Sequence, residues 1–418
     1  MEEKKEKKRP SRYLSTVLIM ILLIIVLSLP ALSPALCDRY TDSVYGVLCD
    51  VLSHFNALFP FALGEILMYA GILLLVAAIV FLLLLVFLHK KTRYRRFCSG
   101  YFKTLSIILL SVILIYIPTW FIPFNGTVLG RGNVELRTEY TYEEFRALLQ
   151  YFADGANKAA EEIRISDDGS VEFYAPEEIS ALAASAMQDL GDEFGRLRGY
   201  YSPVKTAICS DILNRMNIGG YNYPYTMEPT NNRYVSPLYL ASLCAHEYAH
   251  HKGYYKENEA NFLSELALSR SSDPYLRLAG YYEMYDYLYF DYLDAQTEIL
   301  QQLIDSGEIV YPEKIDSKET AAQATAIWES VFGPDPEISE RAYYIYDAGM
   351  EIEQEIYDAD EHVIDDMPAV DELISDTADE GWRIQGEILQ DNSYDDVVLL
   401  LLQYYYSEDN PVDGILKE

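Results

Sequence analysis

Hydrophobic residues in the first third of the chain fall into three long uncharged runs. They cover residues 13–36, 66–88 and 104–124. Each run reaches the roughly 20 residues that an α-helix needs to cross the hydrocarbon core of a bilayer. Three such runs so close together, with basic residues at their ends, are rare in the core of a soluble protein. The pattern predicts a membrane region over residues 13–124 with three transmembrane helices.

Beyond residue 140 the hydrophobic residues recur with the period of amphipathic helices. A capping box at Thr141 predicts a helix that runs to about Ile165, and a second helix is expected from Pro176. Residues 219–235 combine Gly, Pro, Asn and Tyr without a helical period, which predicts a strand with turns. Helical patterns return at Ser236. The expected fold class is mainly α (α+β): three N-terminal transmembrane helices, then a mostly helical domain with a small strand element.

Charge divides the chain near the same place. Residues 1–134 hold 14 of the 32 Lys and Arg but 7 of the 65 Asp and Glu, a balance of +7, whereas the remainder carries −40. We expect a basic tail over residues 1–12, a Gly-containing linker over 125–140 and a large acidic domain over 141–418. Phosphate binding requires clustered Lys and Arg, so no nucleic-acid partner is expected for this domain.

The basic residues also predict the orientation of the chain. The N-terminal tail and the connection after the second run are rich in Lys and Arg, whereas the first connection is acidic on balance. Since Lys and Arg accumulate on the cytoplasmic side, we expect a multi-pass cell-membrane protein with a cytoplasmic N-terminus and an extracytoplasmic domain. The first run could be a cleaved signal peptide, but its length and the later spans favour a retained helix. Cys37 and Cys49, in the first external loop, either form a disulfide or remain unpaired.

Three of the six histidines lie within the stretch HEYAHH at residues 246–251. A helix is expected here, because Ser236 is a favourable N-cap, Pro237 suits the first turn and Gly253 suits the C-terminal end. The residues around the histidines are apolar, which indicates a buried helix. Buried histidines require polar partners or a metal ion.

His246 and His250 would lie one turn apart on the same face of this helix, so that both imidazoles can reach one ion. Glu247 projects about 100° away, where it can contact a water on the metal without binding the metal itself. This H-E-x-x-H arrangement is typical of a catalytic zinc site, in which three protein ligands leave one position open. We therefore expect Zn2+ as the cofactor and Glu247 as the general base.

The third ligand is expected on a second helix that returns after the first. Glu257 would face His250 across this antiparallel pair, whereas Glu259 lies about 200° further round its helix and is the alternative ligand. Asn261 is one turn after Glu257 on the same face. Its side chain could hydrogen-bond the second nitrogen of a ligand histidine.

Two other residues near the histidine pair are less suitable as ligands. Lys256 stands at the spacing where one class of H-E-x-x-H protease carries a third histidine, and a protonated amine cannot bind zinc. His251 projects about 100° away from His250, so we expect it at the surface or in support of the ligands.

The two motifs resemble those of the gluzincin metallopeptidases, which combine H-E-x-x-H with a glutamate, a small residue and Asp or Asn on a second helix. Glu257, Ala260 and Asn261 match that second motif, after an unusually short gap. The resemblance implies Glu257 as the third ligand. The segments GGYNYPYTMEPTNN, CAHEYAHHKGYYKENEANF and SYDDVVLLLLQYYY also resemble a bacterial membrane-protein family of unknown function, DUF3810. That resemblance implies membrane anchorage and a zincin-like domain.

The expected function is a membrane-anchored zinc metallopeptidase that acts on a peptide or protein substrate. In zincins an edge strand before the metal helix pairs with the substrate, and residues 219–226 stand in that place, although they could equally form a plain surface hairpin. One alternative is a membrane-anchored binding or sensor protein with a structural or inactive zinc site. Another is a zinc hydrolase of a non-peptide envelope amide. Glu247 favours an enzyme, because a structural site has no use for a general base.

Overall fold

The computed structural model describes residues 11–129, 139–312, 314–360, 374 and 393–405. Most of the predicted basic tail and the centre of the predicted linker therefore lie outside the described residues. The mainly helical class with a small sheet is confirmed.

The helices and strands follow the hydrophobic pattern closely. In chain order the helices are α1 (Arg12–Ser28), α2 (Pro34–Tyr40), α3 (Gly46–Asn56), α4 (Leu63–Leu88), α5 (Thr92–Tyr116), α6 (Ile122–Phe124), α7 (Tyr142–Glu162), α8 (Pro176–Asp189), α9 (Ser210–Arg215), α10 (Pro237–His251), α11 (Glu257–Ser269), α12 (Pro274–Asp305), α13 (Lys318–Phe332), α14 (Glu340–Ala359) and α15 (Ser393–Tyr405). The strands are β1 (Lys205–Thr206), β2 (Gly220–Tyr223) and β3 (Glu228–Asn231).

Three helical segments are long and apolar enough to cross a membrane: Arg12–Leu32, Leu63–Leu88 and Thr92–Phe124. The second and third segments contain their predicted runs, whereas the first covers all but the last four residues of the run 13–36. The first segment ends at Leu32, because Ser33 precedes a proline and adopts an extended conformation. The third begins twelve residues before its apolar run, because the basic stretch in front of it is also helical. Their outer faces expose apolar side chains that a bilayer would cover.

The helix α7 begins at the predicted capping box. The Thr141 hydroxyl accepts a hydrogen bond from the Glu144 amide, and the Glu144 carboxylate accepts one from the Thr141 amide. The helix ends at Glu162, three residues before the expected end. The chain then turns back, and Ile165 pairs with Val171 in an isolated antiparallel bridge.

The core of the domain surrounds α10, which packs against α8, α11 and α12. Small residues on α10, such as Ala241, Ala245 and Ala249, are fully buried and allow close approach of its neighbours. On α11 the side chain of Leu263 is also fully buried, which stabilises the fold by about 2 kcal/mol relative to exposure. A central, closely packed helix gives its side chains a rigid support.

The two ends of α10 follow from local chemistry. Ser236 caps the helix by accepting a hydrogen bond from the Tyr239 amide, and Pro237 occupies the first turn. Beyond the C-terminal end, Gly253 adopts φ +91° and lies against Thr41 and the ring of Tyr45, so another residue there would have a strained backbone and a tight contact. This turn reverses the chain into α11.

The sheet has the strand order β1-β3-β2, which leaves β2 at an edge. The β2 strand runs antiparallel to β3, with Gly220 opposite Asn231 and Tyr223 opposite Glu228. Among the described residues, no other strand pairs with β2. Its free edge is therefore available for an added strand.

The connection between the first two membrane segments packs against the domain. The Tyr45 hydroxyl donates to the carbonyl of His251 at 3.1 Å. Cys37 and Cys49 are both unpaired, so the disulfide alternative is wrong. Cys37 Sγ contacts the Pro30 carbonyl at 3.3 Å, whereas Cys49 Sγ lies 3.2 Å from His251 Nε2, so the two thiols have different neighbours.

Candidate metal centre

His246 and His250 lie one turn apart in the C-terminal half of α10. Their ring centroids are 4.6 Å apart, with perpendicular ring planes. The Nδ1 of His246 is 2.7 Å from Asn261 Oδ1, and the Nδ1 of His250 is 2.8 Å from the Tyr254 carbonyl oxygen. Each oxygen holds a proton on Nδ1, which leaves the Nε2 lone pair of each ring for a metal ion.

Glu257 stands at the first position of α11, opposite this pair. Its Oε2 lies 3.2 Å from His246 Nε2 and 3.7 Å from His250 Nε2. One ligand atom from each of the three residues lies within 4.8 Å of the other two. Two imidazole nitrogens and one carboxylate oxygen are a donor set found in catalytic zinc sites, so these residues fit a zinc ion.

The electrostatics of this cluster favour a positive charge between the three side chains. Burial alone would lower the pKa of His250, but the charge and hydrogen bond of Glu257 raise it to about 9. Burial likewise tends to raise the pKa of Glu257, but the two histidines hold it well below its usual range. A divalent cation bound between the three side chains would satisfy this field in place of a proton.

Glu247 lies beside the cluster but outside it. Its side chain is buried, and its Oε2 has no hydrogen-bond partner among the described residues. Burial raises the pKa of this carboxyl to about 7, against the opposing charges of His250 and His246. An unpartnered buried carboxyl with a pKa near neutrality is suited to taking and returning a proton.

Glu259, the alternative ligand, faces away from the histidines. Its carboxylate accepts a hydrogen bond from the Leu129 amide, and it is absent from the group that could hold a metal. Lys256 is also turned away, with its ammonium 4.7 Å from the centre of the Phe124 ring. The helix geometry therefore points Glu257 towards the histidine pair and points Lys256 and Glu259 away from it.

The expectation that His251 lies at the surface is wrong, and it does not support the ligand side chains either. Its ring is fully buried, with Nδ1 3.0 Å from the Met227 carbonyl and Nε2 3.1 Å from Ser53 Oγ. Burial and the nearby Lys252 lower its pKa to about 3, so it is neutral. This histidine joins α10 to α3 and to the sheet.

The edge strand β2 passes directly over Glu247. A Cβ on Gly220 would lie 2.8 Å from the Thr230 carbonyl oxygen and 3.2 Å from Glu247 Oε1, so only a glycine lets the strand approach this carboxyl so closely. Further along the strand, the side-chain amide of Asn222 is buried, and neither its nitrogen nor its oxygen has a hydrogen-bond partner among the described residues. Unpartnered polar atoms beside a free strand edge are available to a ligand.

Two tyrosines of the site were missed by the sequence analysis. The ring of Tyr255 stacks on that of His250 with an interplanar angle of 11°. Burial, together with the charges of Glu283, Glu247 and Glu353, raises the pKa of Tyr239 to about 12, so it remains a neutral hydrogen-bond donor. The eight-residue spacing of Tyr239 and Glu247 on one helix was a usable signal. Nothing marked Tyr255 among 37 tyrosines.

A family model described as a protein of unknown function (DUF3810) matches residues 40–346, and the chain belongs to this family. The match spans the last two membrane segments, the sheet and both helices of the candidate metal centre. No curated protein matches the chain. No solved structure matches it either.

Proposed function

We propose that this member of the DUF3810 family is a membrane-anchored zinc-dependent metallopeptidase. The supporting observation is the convergence of His246, His250 and Glu257, with Glu247 beside them, whose Oε2 has no hydrogen-bond partner among the described residues. The side chain of Glu257 is 39% exposed, so one side of the cluster is open. Three protein ligands with an open side are typical of catalytic zinc sites, whereas structural sites are closed by four.

The chain's own residues divide the chemistry between them. A zinc ion held by His246, His250 and Glu257 would supply a Lewis acid that activates water and polarises the scissile carbonyl. Glu247 takes a proton from the attacking water and passes it to the leaving amine. Asn261 orients the ring of His246 through its 2.7 Å contact at Nδ1.

The substrate in this proposal is an extended peptide that adds a strand to β2. The backbone groups on the free edge of β2 would bind the peptide main chain, and the close approach of Gly220 to Glu247 would bring the bound peptide near this carboxyl. Tyr239 remains protonated near Glu247 and is a donor for the negative charge that develops on the carbonyl oxygen.

The proposed topology places the N-terminus in the cytoplasm and the metal centre outside. If all three apolar helices cross the membrane, the first connection and the domain lie on the same side of it. The hydrogen bond from Tyr45 in that connection to His251 in the domain agrees with this arrangement. The basic residues of the second connection then mark the cytoplasmic side. The metal centre would act on the outer face of the cell membrane.

Metal analysis and a peptide-library assay on the full-length protein test the proposal. We expect about one zinc per chain and hydrolysis that falls by roughly 10²–10⁴-fold in Glu247→Gln, which keeps the side-chain size but cannot accept the proton. Zinc bound without cleavage by the parent would favour the binding or sensor protein. Cleavage of envelope amides alone would favour the non-peptide hydrolase. Equal hydrolysis by the parent and by Glu247→Gln contradicts the assigned base.

A further inference from the structure

We infer that the substrate of this site is a membrane-anchored polypeptide that is cut a few residues beyond the C-terminal end of its transmembrane segment. This inference rests on the proposed function and specifies its substrate class. It follows from the direction of β2, which leads from Glu247 to the start of the membrane helix α4, and from contacts that hold the metal centre at the bilayer surface.

The four residues of β2 lead from Glu247 at one end of the strand to the first turn of α4 at the other. Gly220 lies beside Glu247, and Tyr223 packs directly on the backbone of Gly64 in the first turn of α4. Strands advance about 3.3 Å per residue, so the catalytic carboxylate and the membrane end of β2 are roughly 10 Å apart. An uncharged apolar run begins at Ile66, just beyond this contact. The membrane surface therefore lies next to Tyr223.

A buried ion pair fixes this arrangement. The carboxylate of Glu228, opposite Tyr223 on β3, accepts hydrogen bonds from the Leu63 and Gly64 amides at 3.0 and 2.7 Å. It also pairs with the buried ammonium of Lys205 at 2.5 Å. A carboxylate at the N-terminus of α4 is favoured by the unpaired amides there. Direct contacts of Glu228 therefore hold the sheet against the N-terminal end of α4.

A second link runs from the metal ligands to the end of the third membrane segment. Tyr255, which stacks on His250, donates a hydrogen bond to the Thr119 carbonyl at 2.6 Å and packs against Trp120. Trp120 stacks in turn on Tyr116 at 5.2 Å. Aromatic residues of this kind collect at the headgroup level of membranes. His250 is therefore separated from the membrane surface by one aromatic ring.

The helix α3 supplies independent evidence for the position of the bilayer. One face is buried against the domain, with Cys49 and Ser53 in contact with His251. The opposite face exposes the apolar side chains of Val47 (65%), Val51 (63%) and Phe55 (50%), and Val44 (50%) and Leu58 (75%) are exposed just beyond the two ends of the helix. Such a stripe is typical of a helix that lies in the membrane interface. The C-terminal end of α10 thus lies directly above the lipid.

The strand direction defines which end of the substrate is anchored. The β2 strand already pairs antiparallel with β3, and antiparallel pairs are about two to three times as common as parallel ones. A substrate antiparallel to β2 passes Tyr223 first and Gly220 last. Its N-terminal side therefore emerges from the membrane, and the scissile bond lies about three residues beyond the surface.

The test uses the full-length protein in liposomes and one cleavable sequence obtained from the peptide library. The sequence is placed directly after a single transmembrane segment, after the same segment with a 30-residue spacer, before a transmembrane segment, or in a soluble peptide. We expect the first substrate to be cut at least about tenfold faster than the soluble peptide, because its effective concentration at β2 is higher. Equal rates for the first substrate and the soluble peptide, or a preference for the anchor after the site, would overturn the inference.

Two variants distinguish a loss of membrane contact from a general loss of activity. Val47→Asp with Val51→Asp weakens the contact of α3 with lipid and should slow cleavage of the anchored substrate but not of the soluble peptide. Val310→Asp, at a position that is 84% exposed in a loop of the domain, is the matched control and should change neither rate. Equal slowing of both substrates by the Val47 and Val51 pair would contradict the role of α3.

A binding measurement keeps this inference distinct from the proposed function. A photo-crosslinking residue in place of Tyr223, combined with Glu247→Gln, should capture the anchored chain and not the soluble peptide. If nothing is cut by the parent, the proposed function fails and the crosslink alone decides the substrate class. If soluble and anchored chains are both cut at the same rate, only the anchoring inference fails.

Discussion

His246 Nδ1 and Asn261 Oδ1 lie 2.7 Å apart, although they belong to different helices. The contact crosses from α10 to α11 and fixes which nitrogen of the histidine faces Glu257. Replacing Asn261 with Ala should weaken zinc binding by about 10–100-fold, because the ring loses its orienting acceptor. Titration with a zinc chelator would measure this. Asn261→Asp keeps an acceptor and should retain zinc, and equal loss in both variants would contradict the orienting role.

Glu257 and Glu259 provide a matched pair of substitutions two residues apart. Glu257→Gln removes an anionic oxygen that lies 3.2 Å from His246 Nε2 and should reduce zinc stoichiometry. Glu259→Gln should leave zinc content unchanged, because that side chain contacts the Leu129 amide instead. Metal analysis of the two purified variants beside the parent checks the expectation. Zinc lost from the Glu259 variant and kept by the Glu257 variant would reverse the ligand assignment.

The buried carboxyl of Glu265 predicts a stability that depends on pH. The Tyr405 hydroxyl donates to it at 3.1 Å, and burial raises its pKa to about 7, above the ordinary value of 4.5. The folded state therefore binds the proton more tightly, and stability should fall as pH rises from about 4.5 to about 7, by about 3 kcal/mol at most. Thermal unfolding across this range measures the fall. Glu265→Gln should reduce the fall without abolishing it, because Glu247, whose pKa is also raised to about 7, adds a fall of its own; an unchanged slope in that variant would contradict the assignment.

The buried pair of Lys205 and Glu228 predicts a large stability effect. Glu228→Gln would leave the Lys205 ammonium without a charged partner in a buried position and should cost about 3–5 kcal/mol. Asp192→Asn is the matched control, because its pair with Arg198 is exposed, and it should have no measurable effect. Chemical unfolding in detergent compares the two. Similar midpoints for both variants would show that the buried pair does not hold the sheet to α4.

The proposed topology predicts that the domain is accessible from outside the cell. Protease added to intact spheroplasts should digest residues 139–405, whereas a tag fused before residue 11 should be protected. The physical reason is the clustering of Lys and Arg in the tail and in the second connection. Immunoblotting for both ends measures the result. Protection of the domain together with digestion of the tag would reverse the orientation and the proposed localisation.

Much of the fold could be predicted from local sequence patterns. The capping box at Thr141, the start of α10 at Ser236 and the turn at Gly253 all rest on interactions between residues a few positions apart. The shared face of His246 and His250 follows from the helical repeat alone. These features do not depend on the rest of the chain, so the sequence was sufficient.

Only the tertiary structure shows which distant residues pack against these helices and turns. His251 contacts Cys49 and Ser53, which are about 200 positions away in the chain, and no local pattern predicts such a contact. The approach of Gly220 to Glu247 likewise depends on how the edge strand β2 packs against α10, 27 positions along the chain.

The contacts behind the proposed position of the candidate metal centre near the membrane were also decided only in three dimensions. It depends on Glu228 reaching the first turn of α4 and on Tyr255 reaching Thr119. Helical spacing alone placed His246 and His250 on one face, because the backbone repeat is the same in every helix. Their proximity to the ends of the apolar helices required long-range packing, because ordering two distant segments against each other has an entropic cost that only the packed fold offsets.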